Sequence, residues 1–177
     1  NPAATWVVGE PLYAFYLAAT GKPHPVADEV IADGETNWRK VAARLTTGDI
    51  GGKRIFYQKQ MTHHLLPEVE REWLASLTNC FLVRDPAEVI VSYIKKNDDP
   101  LLEDLGFVQQ AEIFDWLRER SGMIPPVIDA RDVLQDSART LRLLCAAVGV
   151  DFDPAMLPWP PCFRGTDGVR AWHWYGQ

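Results

Sequence analysis

A predicted strand and the helix after it carry the residues best suited to bind an anion. The apolar run Phe81–Val83 predicts a buried strand, and Arg84 stands where that strand should end. Asp85 and Pro86 predict the start of a helix, as N-cap and first helical residue. Ligands of open α/β sheets bind at this edge, and the first turn of a helix favours an anion. The guanidinium of Arg84 and the hydroxyl of Ser92 therefore predict a phosphate clamp. The alternative is a surface ion pair of Arg84 with Asp85 or Glu88, and a serine on a solvated helix face.

The helix that this N-cap opens is predicted to be amphipathic. Four residues are spaced to form one apolar face: Val89, Ile90, Tyr93 and Ile94. The opposite face carries polar groups: Glu88, Ser92, Lys95 and Lys96. Glu88 is also spaced to reach back to the N-cap and complete a capping box.

Lys59, Glu10 and two adjacent histidines are the candidate catalytic residues. Lys59 ends a strand predicted at residues 54–59, where its ammonium could stabilise charge on a leaving oxygen; a structural lysine with a packed stem is the alternative. His63 or His64 could act as a general base, although a packed histidine is the default. Glu10 follows the first predicted strand and is another candidate general base. The alternative is a loop carboxylate near the positive end of a helix.

Composition limits the class of protein. The 177 residues show no break in composition, which predicts a single domain over residues 1–177, and 47% hydrophobic content is enough for a packed core. The net charge of −6 argues against a nucleic-acid partner, so an anion needs a local basic pocket. No apolar run reaches the length of a membrane span. Three widely spaced cysteines favour a reducing cytoplasm and give no zinc pattern, so no metal is expected.

Alternating strand and helix patterns predict the fold class. Strands are predicted at residues 5–8, 54–59, 81–83 and 126–129. Helices are predicted at residues 11–17, 38–45, 67–76, 86–94, 107–120 and 137–148, with a loop at 21–34 and a proline- and tryptophan-rich tail from residue 151. This order predicts an α/β protein with a mostly parallel sheet and helices on both faces.

These residues, taken in order, resemble the PAPS-dependent sulfotransferases, most closely the small bacterial sulfotransferase-like proteins. In that family an arginine at a strand end and a serine eight residues later hold the nucleotide 3′-phosphate, which is the spacing of Arg84 and Ser92. Lys59 is similar to the family's lysine before the phosphate strand. Residues 127–153 resemble its later strand, turn and C-terminal helix. Arg164–Gly165 resembles, more weakly, a late basic loop that reaches the same phosphate.

The resemblance implies a P-loop NTPase-like three-layer fold and transfer of a sulfuryl group from PAPS to a hydroxyl or amine of a small-molecule acceptor. Cytosolic members carry Lys-Thr-His where this chain has Lys59-Gln60-Met61, so the base is open among His63, His64 and Glu10. Glu10 is placed like the glutamate of glycan-modifying members. The family's first strand and its glycine-containing loop for the 5′-phosphosulfate have no match, and we expect them upstream of Asn1.

Two alternatives stay open from the residues alone. One is an ATP-dependent small-molecule kinase of the same fold, and the other is a catalytically degenerate nucleotide-binding relative. A Walker lysine loop in an upstream segment would favour the kinase, and a shorter basic Gly-[Ser/Thr]-Thr loop would favour sulfuryl transfer. A homodimer is compatible with the sequence.

Overall fold

The computed structural model describes residues 5–95 and 99–158, which fall into two units along the chain. The first unit contains residues 5–73, and the second contains residues 74–95 and 99–158. Each unit has its own pair of parallel strands, so each is described by itself.

The first unit is built around two parallel strands and three helices. In chain order its elements are β1 (Thr5–Gly9), α1 (Tyr13–Thr20), α2 (Ala27–Asp33), α3 (Trp38–Thr47), β2 (Ile55–Lys59) and a 3₁₀ turn at Thr62–His64. β1 and β2 pair in register from Thr5 opposite Ile55 to Gly9 opposite Lys59. The two strands therefore end side by side at the same edge.

Local sequence explains where these helices begin and end. The Asn37 side chain caps α3 by accepting hydrogen bonds from the backbone N–H groups of Arg39 and Lys40. Gly21 ends α1 with a φ of 61°, a left-handed conformation that glycine adopts without steric cost. Trp38, Val41, Ala42 and Leu45 are buried at helical spacing, so α3 turns one apolar face to the core.

The second unit repeats the pairing of two parallel strands. Its elements are β3 (Phe81–Val83), α4 (Pro86–Tyr93), α5 (Leu102–Leu105), α6 (Phe107–Ser121), β4 (Val127–Asp129), α7 (Ala130–Gln135), α8 (Ser137–Ala147) and a 3₁₀ turn at Pro154–Met156. β3 and β4 pair from Phe81 opposite Val127 to Val83 opposite Asp129. Phe81 is buried with Ile113 and Leu117 of α6, and its ring meets that of Phe114 edge-on at 5.4 Å.

The predicted α/β class is confirmed, with short parallel strands surrounded by helices. All four predicted strands are present, and those that the structure describes pair as two sheets of two strands. They are less buried than predicted, since Trp6 of β1 and Leu82 of β3 are exposed.

Three predictions of local secondary structure are wrong. The loop predicted at 21–34 contains α2, which follows Val26 and has no side-chain cap that could announce it. The helix predicted at 67–76 is reduced to a 3₁₀ turn at Glu72–Ser76, where the N–H of Leu77 bonds three residues back to Leu74. The turn that the resemblance implied after Asp129 is α7.

Within residues 5–95 and 99–158, no helix is both long and apolar enough to cross a bilayer. The single-domain prediction for residues 1–177 stays a prediction.

Candidate functional site

The parallel register of the first unit brings Glu10 and Lys59 together. Gly9 is paired with Lys59, and the N–H of Glu10 donates to the Lys59 carbonyl oxygen at 2.6 Å. The Lys59 ammonium Nζ donates to Glu10 Oε1. Glu10 has a φ of 51°, the left-handed region, and its carbonyl oxygen accepts from the N–H of Tyr13 as α1 begins. The chain therefore reverses at Glu10 and keeps its carboxylate at the carboxyl end of β2.

His63 lies one short turn beyond Lys59 and is half-buried. Its ring meets that of Tyr16 edge-on at 5.4 Å. Burial lowers the pKa of His63 to about 4, although the Glu10 carboxylate acts in the opposite direction; Lys22 and Lys59 lower it further. The imidazole is therefore neutral at pH 7.

His64 is in a different environment from its neighbour. Only 2% of its surface is exposed, and its ring lies 5.1 Å from that of Tyr13 and 4.7 Å from that of Tyr16. These contacts place His64 inside the packed part of the first unit. The sequence interpretation missed the two tyrosines, although their spacing on α1 puts both on one helix face.

In the second unit, the start of α4 has the predicted cap. Asp85 Oδ1 accepts from the N–H of Ala87 at 2.9 Å, and Pro86 is the first helical residue. The predicted capping box is wrong, because the Glu88 carboxylate turns to Arg84 and accepts from its Nε at 3.0 Å. The surface ion pair that was the alternative to a phosphate clamp is therefore present, with Glu88 as the partner of Arg84.

Ser92 is exposed on α4. Because Ser92 lies four residues after Glu88, the two share one helix face, and Arg84, four residues before Glu88, lies on the same side. The opposite face is not buried as predicted: Ile90 and Ile94 are exposed, and no residue of α4 is buried. Arg84 and Ser92 thus share one surface, with Glu88 between them in the sequence.

Arg131 is a charged residue of this surface to which the sequence interpretation gave no role. Its Nη2 lies 3.5 Å from Glu88 Oε1 and 3.6 Å from Asp85 Oδ2. The pairing of Val83 with Asp129 explains the proximity, because it puts the residues that follow β3 beside those that follow β4. A basic residue just after each of two strands was the signal that could have found it.

Arg164 and Gly165, predicted to help hold the 3′-phosphate, lie outside the described residues, as does most of the aromatic tail. Over residues 5–95 and 99–158, no group of three or more His, Cys, Asp and Glu side chains could hold a metal ion.

Charged side chains at the carboxyl ends of parallel strands define an α/β protein with candidate anion-binding and acid–base groups at its sheet edges. The chain belongs to the sulfotransferase domain family, whose model matches residues 1–177. The predicted resemblance to sulfotransferases is thereby confirmed.

Two curated proteins of Arabidopsis thaliana are similar to this chain. Branched-chain-amino-acid aminotransferase-like protein 1 is 35% identical over 97% of the chain, and branched-chain-amino-acid aminotransferase-like protein 2 is 30% identical over 96% of it. The chain spans about 30% of the length of each of these relatives. No solved structure matches the chain.

Proposed function

We propose that this domain transfers a sulfuryl group from PAPS to a hydroxyl or amine of a small-molecule acceptor. Membership of the sulfotransferase domain family supports a transferase. The observation that carries the proposal is the contact between Glu10 and Lys59 at the end of two parallel strands, with the neutral imidazole of His63 nearby. This arrangement offers a proton acceptor and a cation side by side.

The reaction needs both groups. The attacking oxygen or nitrogen of the acceptor must lose a proton, and negative charge develops on the phosphate oxygen that leaves the sulfur. We assign the first task to Glu10, because its carboxylate lies at the carboxyl ends of β1 and β2, whereas the His63 ring is packed edge-on against Tyr16. Lys59 would stabilise the developing charge. His64 has no part in the proposed mechanism because it is buried.

The residues of the second unit fit a phosphate group of the donor. Arg84 supplies a guanidinium that is about half exposed, and Ser92 supplies an exposed hydroxyl on the same helix face. A guanidinium can bind phosphate oxygens with two hydrogen bonds, and a hydroxyl can donate a further one. We therefore assign the 3′-phosphate to Arg84 and Ser92. The donor itself supplies the sulfuryl group and the leaving phosphate.

The names of the two plant relatives do not identify the acceptor. They describe proteins of which this chain covers about 30%, so we base no acceptor on them. The cytoplasmic location, the small-molecule acceptor and the homodimer stay predictions.

Calorimetric titration of the whole protein with PAP and with ATP tests the proposal. We expect PAP to bind and ATP to bind at least tenfold more weakly, since ATP lacks the 3′-phosphate. Absence of PAP binding would overturn the proposal. Tighter binding of ATP would favour the kinase alternative.

A further inference from the structure

The carboxylate of Glu88 is held by guanidinium groups on both of its oxygens. Arg84 Nε lies 3.0 Å from Oε2, and Arg131 Nη2 lies 3.5 Å from Oε1. Arg131 also lies 3.6 Å from Asp85 Oδ2. A carboxylate between two guanidiniums presents its oxygens where the oxygens of a phosphate would bind.

The fold of the second unit brings these guanidiniums together from two strands. Arg84 directly follows β3, and Arg131 is the second residue after β4. Asp85 and Asp129 each accept a hydrogen bond from the N–H group two residues later, so both strand ends turn into capped helices. The backbone that carries both arginines is therefore fixed by caps, while their side chains remain in solvent.

The exposure of the three side chains makes this contact exchangeable. Arg84 and Glu88 are each 48% exposed, and Arg131 is 58% exposed. Ion pairs between exposed side chains contribute little to stability. Glu88 can therefore move into water when a better anion arrives. A phosphate monoester carries up to two charges and three acceptor oxygens, so it exceeds a single carboxylate as a partner of two guanidiniums.

We propose that Arg131 is a second phosphate-binding arginine beside Arg84, and that Glu88 occupies the position of the phosphate until the ligand displaces it. The inference rests on the proposed function, which assigns the 3′-phosphate of the donor to Arg84 and Ser92. It adds a residue on a different strand end, and it makes Glu88 an internal competitor of the phosphate. The ligand class is a phosphate monoester of a nucleotide.

The test is calorimetric titration of the whole protein with PAP and with 5′-AMP, which lacks the 3′-phosphate. Arg131→Gln should weaken PAP binding about tenfold, as expected for a charged hydrogen bond, and leave 5′-AMP binding unchanged. Glu88→Gln should strengthen PAP binding about threefold to fivefold, because it removes the competing charge and keeps the side-chain size.

The ion pair of Arg118 and Asp115 on α6 provides matched controls. Arg118 Nη2 lies 2.9 Å from Asp115 Oδ1, and Arg118 is 48% exposed, as Arg84 is. Arg118→Gln and Asp115→Asn change the net charge as the test variants do. Both residues lie outside the group formed by Arg84, Glu88 and Arg131. Both should bind PAP like the wild type.

The outcomes separate this inference from the proposed function. If the wild type binds no PAP, the proposed function is wrong and the inference with it. If the wild type binds PAP and Arg131→Gln binds it as well as Arg118→Gln does, Arg131 is only part of a surface ion-pair network. If Glu88→Gln weakens PAP binding, Glu88 orients the arginines and does not compete with the phosphate.

Discussion

The two charged clusters of this domain are built for different environments. Glu10 and Lys59 meet close enough to the half-buried His63 to act on its pKa; the Glu10 side chain is 22% exposed and that of Lys59 is 47% exposed. Arg84, Glu88 and Arg131 meet on a surface where each remains about half exposed. Desolvation strengthens electrostatic interactions and shifts pKa values, whereas water weakens ion pairs and lets them exchange. The first cluster therefore suits proton transfer, and the second suits reversible binding of an anion.

Replacing Lys59 should give the largest effect and the sharpest test of this contrast. In Lys59→Met we expect the rate of sulfuryl transfer to fall by about a hundredfold to a thousandfold, as for loss of one group that stabilises developing charge. The affinity for PAP should change much less. Both quantities are measured by steady-state kinetics of PAP release and by calorimetry.

Lys40→Met is the matched control for Lys59→Met, because Lys40 is an exposed lysine of the same unit that pairs with Glu35 at 3.6 Å. A Lys59→Met enzyme as fast as this control would remove the catalytic assignment of the first cluster.

Replacing Arg84 should affect binding instead of rate. Arg84→Gln is expected to weaken PAP binding by about tenfold to a hundredfold, because a charged hydrogen bond to phosphate is lost. The melting temperature should stay close to that of the wild type, since the pair with Glu88 is exposed. A variant that binds PAP normally would show that the pair is structural.

Burial of His63 should make the free energy of unfolding of the protein depend on pH. The folded pKa of about 4 lies below the ordinary 6.5, so the unfolded chain takes up a proton first as the pH falls. The contribution of neutral His63 to the free energy of unfolding is present above pH 6.5 and is lost as the pH falls through 4. Each pKa unit corresponds to about 1.4 kcal/mol, so roughly 2 kcal/mol should be lost by pH 5.

Urea unfolding of the wild type and of His63→Gln at pH 7.5 and pH 5 measures this loss. The variant should lose correspondingly less stability between the two pH values, because all other titrating groups are shared. Equal losses in the two proteins would mean that His63 titrates normally in the folded state.

The sequence predicted the contact of Arg84 with Glu88 but not the contact of Glu10 with Lys59, although it named both of those residues, for a reason of distance along the chain. Arg84 and Glu88 are four residues apart, and the Asp85-Pro86 helix start is a local signal, so strand, cap and helix could be read together. The pairing of Glu10 with Lys59 joins residues 49 positions apart. It depends on the register of β1 against β2, which no local pattern states.

Two of the failed predictions have local causes, and a third depends on residues far apart in the chain. α2 follows Val26, whose φ of 57° is uncommon for a β-branched residue, and no side-chain cap announces the helix. Glu88 had two partners within reach, the cap and Arg84, and only the folded geometry decides between them. The burial of His64, in contrast to His63, depends on the rings of Tyr13 and Tyr16 more than 45 residues earlier.

The smallest expected effect compares the two carboxylates directly. Glu10→Gln should lower the free energy of unfolding by about 1 kcal/mol, because its pair with Lys59 is partly removed from water, whereas Glu88→Gln should change it by less than about 0.5 kcal/mol. Urea unfolding at 0.1 M and 1 M salt measures both. Salt screens exposed pairs more strongly, so the difference between the two variants should persist at 1 M salt. Equal values for the two variants would mean that water reaches the first cluster as freely as the second, and the contrast between a catalytic and a binding environment would then have no energetic basis.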